Sequence, residues 1–267
     1  MMKFQVCNRL CLTLISTLLL GLSLSSASQA DTPSSKTPSP RPLSPVTGRP
    51  SGTSASTPIV RFEPPTDDDV DDSRGGASRP TEVKCAQDET YPAPLTALVP
   101  RSSVGLTVAA RPNLLIYVPP TTATQAHFTL RDANHRGLYQ TQIPLTQTGG
   151  ILSVPLPADS PELRVGESYQ WSLALLCQPT QTDMPITRGQ IQRVELADAS
   201  ALNGQSLLIQ AATYGQAGVW HDMLARLVRL QQTQPEDSAL SANWAELLQA
   251  ENLGAIANAP LLNQEAP

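Results

Sequence analysis

In the strand candidates between residues 125 and 196 apolar and polar side chains tend to alternate with a period of two, which places successive side chains on opposite faces of a strand. Over Gln125 to Arg131, Ala126, Phe128 and Leu130 share one face, with His127, Thr129 and Arg131 on the other. Leu114 to Val118, a continuous apolar run behind Arg111-Pro112, is a further strand candidate, and strands are predicted over Leu138 to Leu145, Ile151 to Leu156, Tyr169 to Cys177 and Arg188 to Leu196, separated by turn signals such as Asp132 to Gly137 and Thr148-Gly149-Gly150. In Tyr169 to Cys177, Tyr169, Trp171, Leu173, Leu175 and Cys177 face one way. Several short strands at this spacing predict an antiparallel β-sandwich over residues 81–196, of immunoglobulin or fibronectin type. Leu163, Gly166 and Tyr169 fit a tyrosine corner, in which the Tyr hydroxyl bonds back to upstream backbone.

After Leu196 the period lengthens to about 3.6. Helices are predicted over Ser206 to Tyr214, Val219 to Gln231 and Ser238 to Leu253, broken at Gly218, Pro235 and Gly254, so residues 197–267 form a C-terminal helical region. Tyr214, Gly218, Trp220, Met223, Leu227, Leu230 and Pro235 follow the order and spacing of a tetratricopeptide helix pair, although Met223 stands where that repeat prefers a small side chain. A free-standing stack needs about three repeats. One pair must therefore pack on the sandwich, on a third helix or on a partner; the plain reading is a helical cap, and Tyr214, Trp220 and Leu227 mark the candidate docking helices for a protein partner.

Upstream of residue 81 no such period exists. Met1 to Ala30 combines Lys3 and Arg9, an apolar run from Leu10 to Leu24 and the small-residue ending Ser28-Gln29-Ala30, the pattern of a secretory signal peptide. The run is shorter than the roughly 20 apolar residues of a membrane span. Residues 31–80 hold ten prolines and few apolar side chains beyond Leu43, Val46, Ile59, Val60, Phe62 and Val70, and read as a disordered Pro/Ser/Thr-rich spacer. Its acidic run places Asp71, Ser73, Gly76 and Glu82 at spacings of a calcium loop, but Gly75 replaces a ligand and Pro80 interrupts the loop. Signal removal leaves Cys85 and Cys177, which in an exported chain are most economically one disulfide. Such a bridge would stabilise the fold by about 4 to 5 kcal/mol on the chain-entropy account.

Composition narrows the function classes. Only 15% of the 267 residues are charged and the net charge is -5, or -7 without Lys3 and Arg9, so nucleic acid and acidic lipid gain no general attraction. No Gly-x-Ser-x-Gly elbow, His-Glu-x-x-His pair or phosphate-binding Gly loop occurs, and the reading assigns no catalytic residue, cofactor or metal. His127, His135 and His221 are scattered in sequence. His221 and Asp222 are neighbours on a helix, about 100° apart, and do not face each other.

The segments Leu95 to Pro100, Gly105-Leu106-Thr107, Arg111-Pro112, Tyr117-Val118-Pro119, Tyr139-Gln140-Thr141, Gly166 to Trp171, Gln192-Arg193-Val194 and Gly218-Val219-Trp220 together resemble the cyanobacterial exported family called domain of unknown function 928. The resemblance runs from about Arg74 to Leu253 and opens on Arg74-Gly75-Gly76-Ala77-Ser78-Arg79. It implies an exported protein and no known activity. Relatives carry aromatics where Asn113-Leu114-Leu115 and Pro120 stand here, which weakens a sugar-stacking reading. The leading expectation is a non-enzymatic accessory or protein-binding module of the periplasm or extracellular space. A cell-envelope hydrolase requires two carboxyl groups facing across a cleft, and a glycan-binding module requires Tyr117, Tyr139 and Trp171 exposed together.

Overall fold

The computed structural model describes residues 59–65, 93–102, 104–146, 149–177, 184–197 and 199–262, all within the unit Ser54–Pro267. One sheet takes the order β1 (Thr96–Ala97), β3 (Asn113–Val118), β6 (Gly150–Pro155) and β9 (Leu261–Leu262). The other takes the order β2 (Val104–Thr107), β8 (Ile186–Arg193), β7 (Ser168–Leu176), β4 (Gln125–Asp132) and β5 (Gly137–Pro144). Leu114, Ile116 and Val118 of β3 and Leu152 and Val154 of β6 form one core with Ala126, Phe128 and Leu130 of β4 and Tyr169, Trp171, Leu173 and Leu175 of β7. The alternation in the sequence is the signature of that core.

The other residues of the first sheet have a different destination. Leu115 and Tyr117 of β3 and Ile151 of β6 belong to a second core, shared with α1 (Leu207–Gln216), α2 (Trp220–Thr233) and α3 (Ser238–Ala250). Beyond Asn113, strand β3 is thus buried on both faces, which is why it continues Leu-Leu-Ile-Tyr-Val rather than alternating. Each helix is delimited by local chemistry. The Ser206 hydroxyl accepts from the Ile209 N–H at the start of α1, and the Asp237 carboxylate accepts from the Ala239 and Leu240 N–H groups at the start of α3. Gly218, at φ +70°, turns the chain from α1 into α2.

Two expectations are corrected. The sheets are mixed rather than antiparallel, because β2 pairs parallel with β8 and β9 pairs parallel with β6. These edge strands, with the two-residue β1, were not predicted: they are too short for an alternation to register. The helical region packs on the sheet: β9 returns from it to the sheet beside β6, and one core spans both. The spacer does not run unbroken to residue 80. Residues 59–65 are extended, with Val60 fully buried among the helices.

Candidate functional site

The polar groups of the fold converge where the start of α2 meets the end of β2. Gly105 in β2 leaves room for the His221 ring, which a Cβ at that position would strike. Burial holds the His221 imidazole far below the usual histidine range, at about 3, and its Nε2 lies buried without a hydrogen-bond partner. The adjacent Asp222 carboxylate accepts from the Thr107 hydroxyl at 2.7 Å and from the Val108 N–H at 3.0 Å. Burial pushes the Asp222 carboxyl up, opposed by those two donors and by the Arg226 charge. Arg226 donates to Gln210 at 2.6 Å and lies 5.7 Å from the centroid of the Tyr214 ring, so a line of polar contacts runs from β2 through α2 to α1. At the end of β8, Arg193 donates to the carbonyls of Val108 and Leu163 and ties the same corner together. The chemistry available here is hydrogen bonding between layers: His221 and Asp222 reach different partners and form no acid–base pair.

Beside this junction a short strap crosses the helices. The Asn243 amide of α3 grips the main chain of Val60 from both sides, accepting from its N–H at 3.0 Å and donating to its carbonyl at 2.9 Å. The Glu63 N–H donates to the Gly215 carbonyl at 2.9 Å. Phe62 meets Trp220 edge-on, with centroids 4.8 Å apart. The Trp220 indole N–H in turn donates to the Leu98 carbonyl at 2.9 Å, so one residue connects strap, helix and the loop after β1. Gly215 and Gly218 let the strap backbone approach: a Cβ on either would meet the Arg61 or Glu63 carbonyl. Farther along the helices, a groove of about 560 Å³ is lined by Gln231, Pro235, Ser241, Trp244, Asn258 and Pro260 among others, with no carboxylate in its wall.

The residues singled out in the sequence fall into place unevenly. The Tyr169 hydroxyl accepts from the Arg164 N–H at 2.9 Å and donates to Glu167, Leu163 is buried beside it, and Gly166 adopts φ +80°. Tyr214, Trp220 and Leu227, which mark the candidate docking helices, are 6%, 0% and 0% exposed and are themselves packed in the core between helices, sheet and strap. Tyr117 and Trp171 are buried and Tyr139 is half-buried, so these three aromatics make no shared platform. His127 is half-buried on β4, and His135, in the β4–β5 turn, bonds to Gln170. Cys177 follows β7, half-buried; Cys85, the leader, most of the spacer and the calcium-like residues Asp71, Ser73, Gly76 and Glu82 lie outside the described residues. Among the described residues no group of three His, Cys, Asp or Glu side chains is placed to hold a metal ion, and no helix is long and apolar enough to cross a membrane.

Sequence reasoning missed the partners of Asp222, the clasp by Asn243 and the whole strap. Thr107 and Asp222 are 115 positions apart, and Asn243 and Val60 are 183 apart, distances over which no periodicity speaks. The signals that existed were small: Gly105 in an apolar strand marks a close approach, and Val60 and Phe62 are two apolar residues at strand spacing in a proline-rich run.

Three comparisons with known proteins bear on the chain. A family model described as Domain of Unknown Function (DUF928) matches residues 74–261. No curated protein matches. Among solved structures, the crystal structure of CopC from Methylosinus trichosporium OB3b is similar over 39% of this chain and 98% of its own length, at 14% identity and a TM-score of 0.25, a likeness too slight to carry an argument.

Proposed function

Because the chain belongs to the DUF928 family, whose description names no activity, we propose from its own geometry that it is an exported, non-enzymatic accessory module whose helical unit binds a protein partner in the cell envelope. The observation that carries the reading is the strap: α1 and α3 hold an extended segment by its main chain, and Trp220 of α2 packs against its Phe62. Holding a backbone is what a peptide-binding surface must do. The sandwich serves as the scaffold. Its tyrosine corner at Leu163, Gly166 and Tyr169 supports an immunoglobulin or fibronectin type, and the α1–α2 pair follows tetratricopeptide spacing. The signal pattern over residues 1–30 supports export, and the two cysteines that remain after its removal support a bridge between Cys85 and Cys177.

Photo-crosslinking in the cell tests the reading. Ile209 on α1 and Val165 on the sandwich are exposed apolar positions of similar accessibility. A crosslinker at residue 209 should capture a discrete protein that the same probe at residue 165 does not. Equal capture at both positions, or none at either, would refute binding through the helical unit.

A further inference from the structure

The strap has the features of a bound ligand more than of a structural element. Its side chains alternate: Val60 is buried and Phe62 half-buried, whereas Ile59, Arg61 and Glu63 point to solvent and Pro64 and Pro65 end the contact. The grip combines main-chain hydrogen bonds to Asn243 and Gly215 with burial of alternate side chains, Val60 in the helical core and Phe62 against Trp220, the physics by which proteins take extended peptides. Two glycines, Gly215 and Gly218, keep the backbone path open on the receiving side. The family match begins at residue 74, so the helices that form the seat belong to the shared domain while the strap lies outside it. Two anchors and a few hydrogen bonds make a modest contact, and covalent attachment to the same chain compensates by raising the local concentration of the strap at its seat.

We propose that the seam between the α1–α2 turn and α3 is a binding site for an extended peptide of the pattern Val-x-Phe followed by prolines, and that residues 59–65 are its resident occupant, which exchanges with a matching segment of a protein partner. The proposal rests on the protein-binding reading above and names its ligand class and its regulation. Asn243 supplies sequence-independent grip, and the positions of Val60 and Phe62 supply selectivity. A partner segment must outcompete the tethered strap, so the strap sets the threshold for binding.

The test is made on the full chain with residues 66–72 replaced by a site-specific protease sequence. Before cleavage, a fluorescent synthetic peptide of residues 57–66 should bind weakly. After cleavage it should bind at least tenfold more tightly and displace the amino-terminal fragment on native size exclusion. A peptide carrying Val60→Asp and Phe62→Ala should lose at least tenfold in affinity, as should the wild-type peptide toward a cleaved protein carrying Asn243→Ala. Three results would overturn the proposal: a fragment that no excess of peptide displaces, a core that unfolds when the fragment leaves, or a folded, empty core that does not take up the peptide. A partner captured from residue 209 would survive each of these, so failure of strap exchange is distinguishable from failure of partner binding.

Discussion

The two cores of this protein are built on different principles. Between the sheets the side chains are almost wholly apolar, with Phe128 stacked on Trp171 at a centroid distance of 6.5 Å and the Trp171 ring lying against Gly189. Between sheet and helices the core admits His221, Asp222, Thr107 and the N–H of Trp220, each placed against a specific partner or a specific gap. Close packing rewards volume, so the first core specifies a sandwich. Polar contacts reward direction, so the second specifies how α2 seats on β2 and where the strap lies. The sandwich is the frame, and the junction sets how the helices and the strap seat on it.

The contrast can be broken most forcefully from the sandwich side. Trp171→Ala opens a cavity beneath Gly189 and should cost about 3 to 5 kcal/mol, with all spectroscopic probes in a urea titration moving together. The junction should instead respond to acid. His221 is held neutral, at about 3 against 6.5, so the unfolded chain takes up a proton that the native state refuses. Stability contributed by this group is complete above pH 6.5 and is lost as pH falls toward 3; it amounts to roughly 3 kcal/mol between pH 7 and pH 4. Asp222, whose carboxyl is pushed up, works in the opposite direction and offsets part of that loss. Urea titrations at the two pH values should show the dependence shrinking in a His221→Phe variant.

Smaller effects separate the two cores further. Asp222→Ala leaves the Thr107 hydroxyl and Val108 N–H without their acceptor and should cost about 2 kcal/mol, whereas Asp222→Asn keeps an acceptor and should cost less than half of that by thermal denaturation. Asn243→Ala removes the clasp on Val60 and should cost about 1 kcal/mol. Its effect should be confined to the strap, visible as faster proteolysis near Arg61 with the sandwich unchanged.

The same division explains what could be read from the sequence. Strands β4 and β7 and the three helices announce themselves because burial on one face imposes a period, and the observed Gln125–Asp132 and Ser168–Leu176 lie within a residue or so of the alternation. The Gly166 and Tyr169 turn is local and is legible for that reason. Helix α2 was readable as a helix, but Trp220 and Leu227 carry no mark that says whether a large apolar side chain faces its own core or a partner. Strand β9 has two residues, the strap has seven, and their positions are set by groups more than a hundred residues away. Elements fixed by local period were visible, and elements fixed by single directed contacts were not.

The central claim is that residues 59–65 form an ordered strap seated on α1–α3 and separable from the sandwich. Amide hydrogen exchange on the intact protein tests it most directly, at the Val60 and Glu63 N–H groups that donate to Asn243 and Gly215. Both amides should exchange far more slowly than those of an unstructured peptide of the same sequence and open before the strands of the sandwich. Exchange of both at the rate of an unstructured peptide would contradict it.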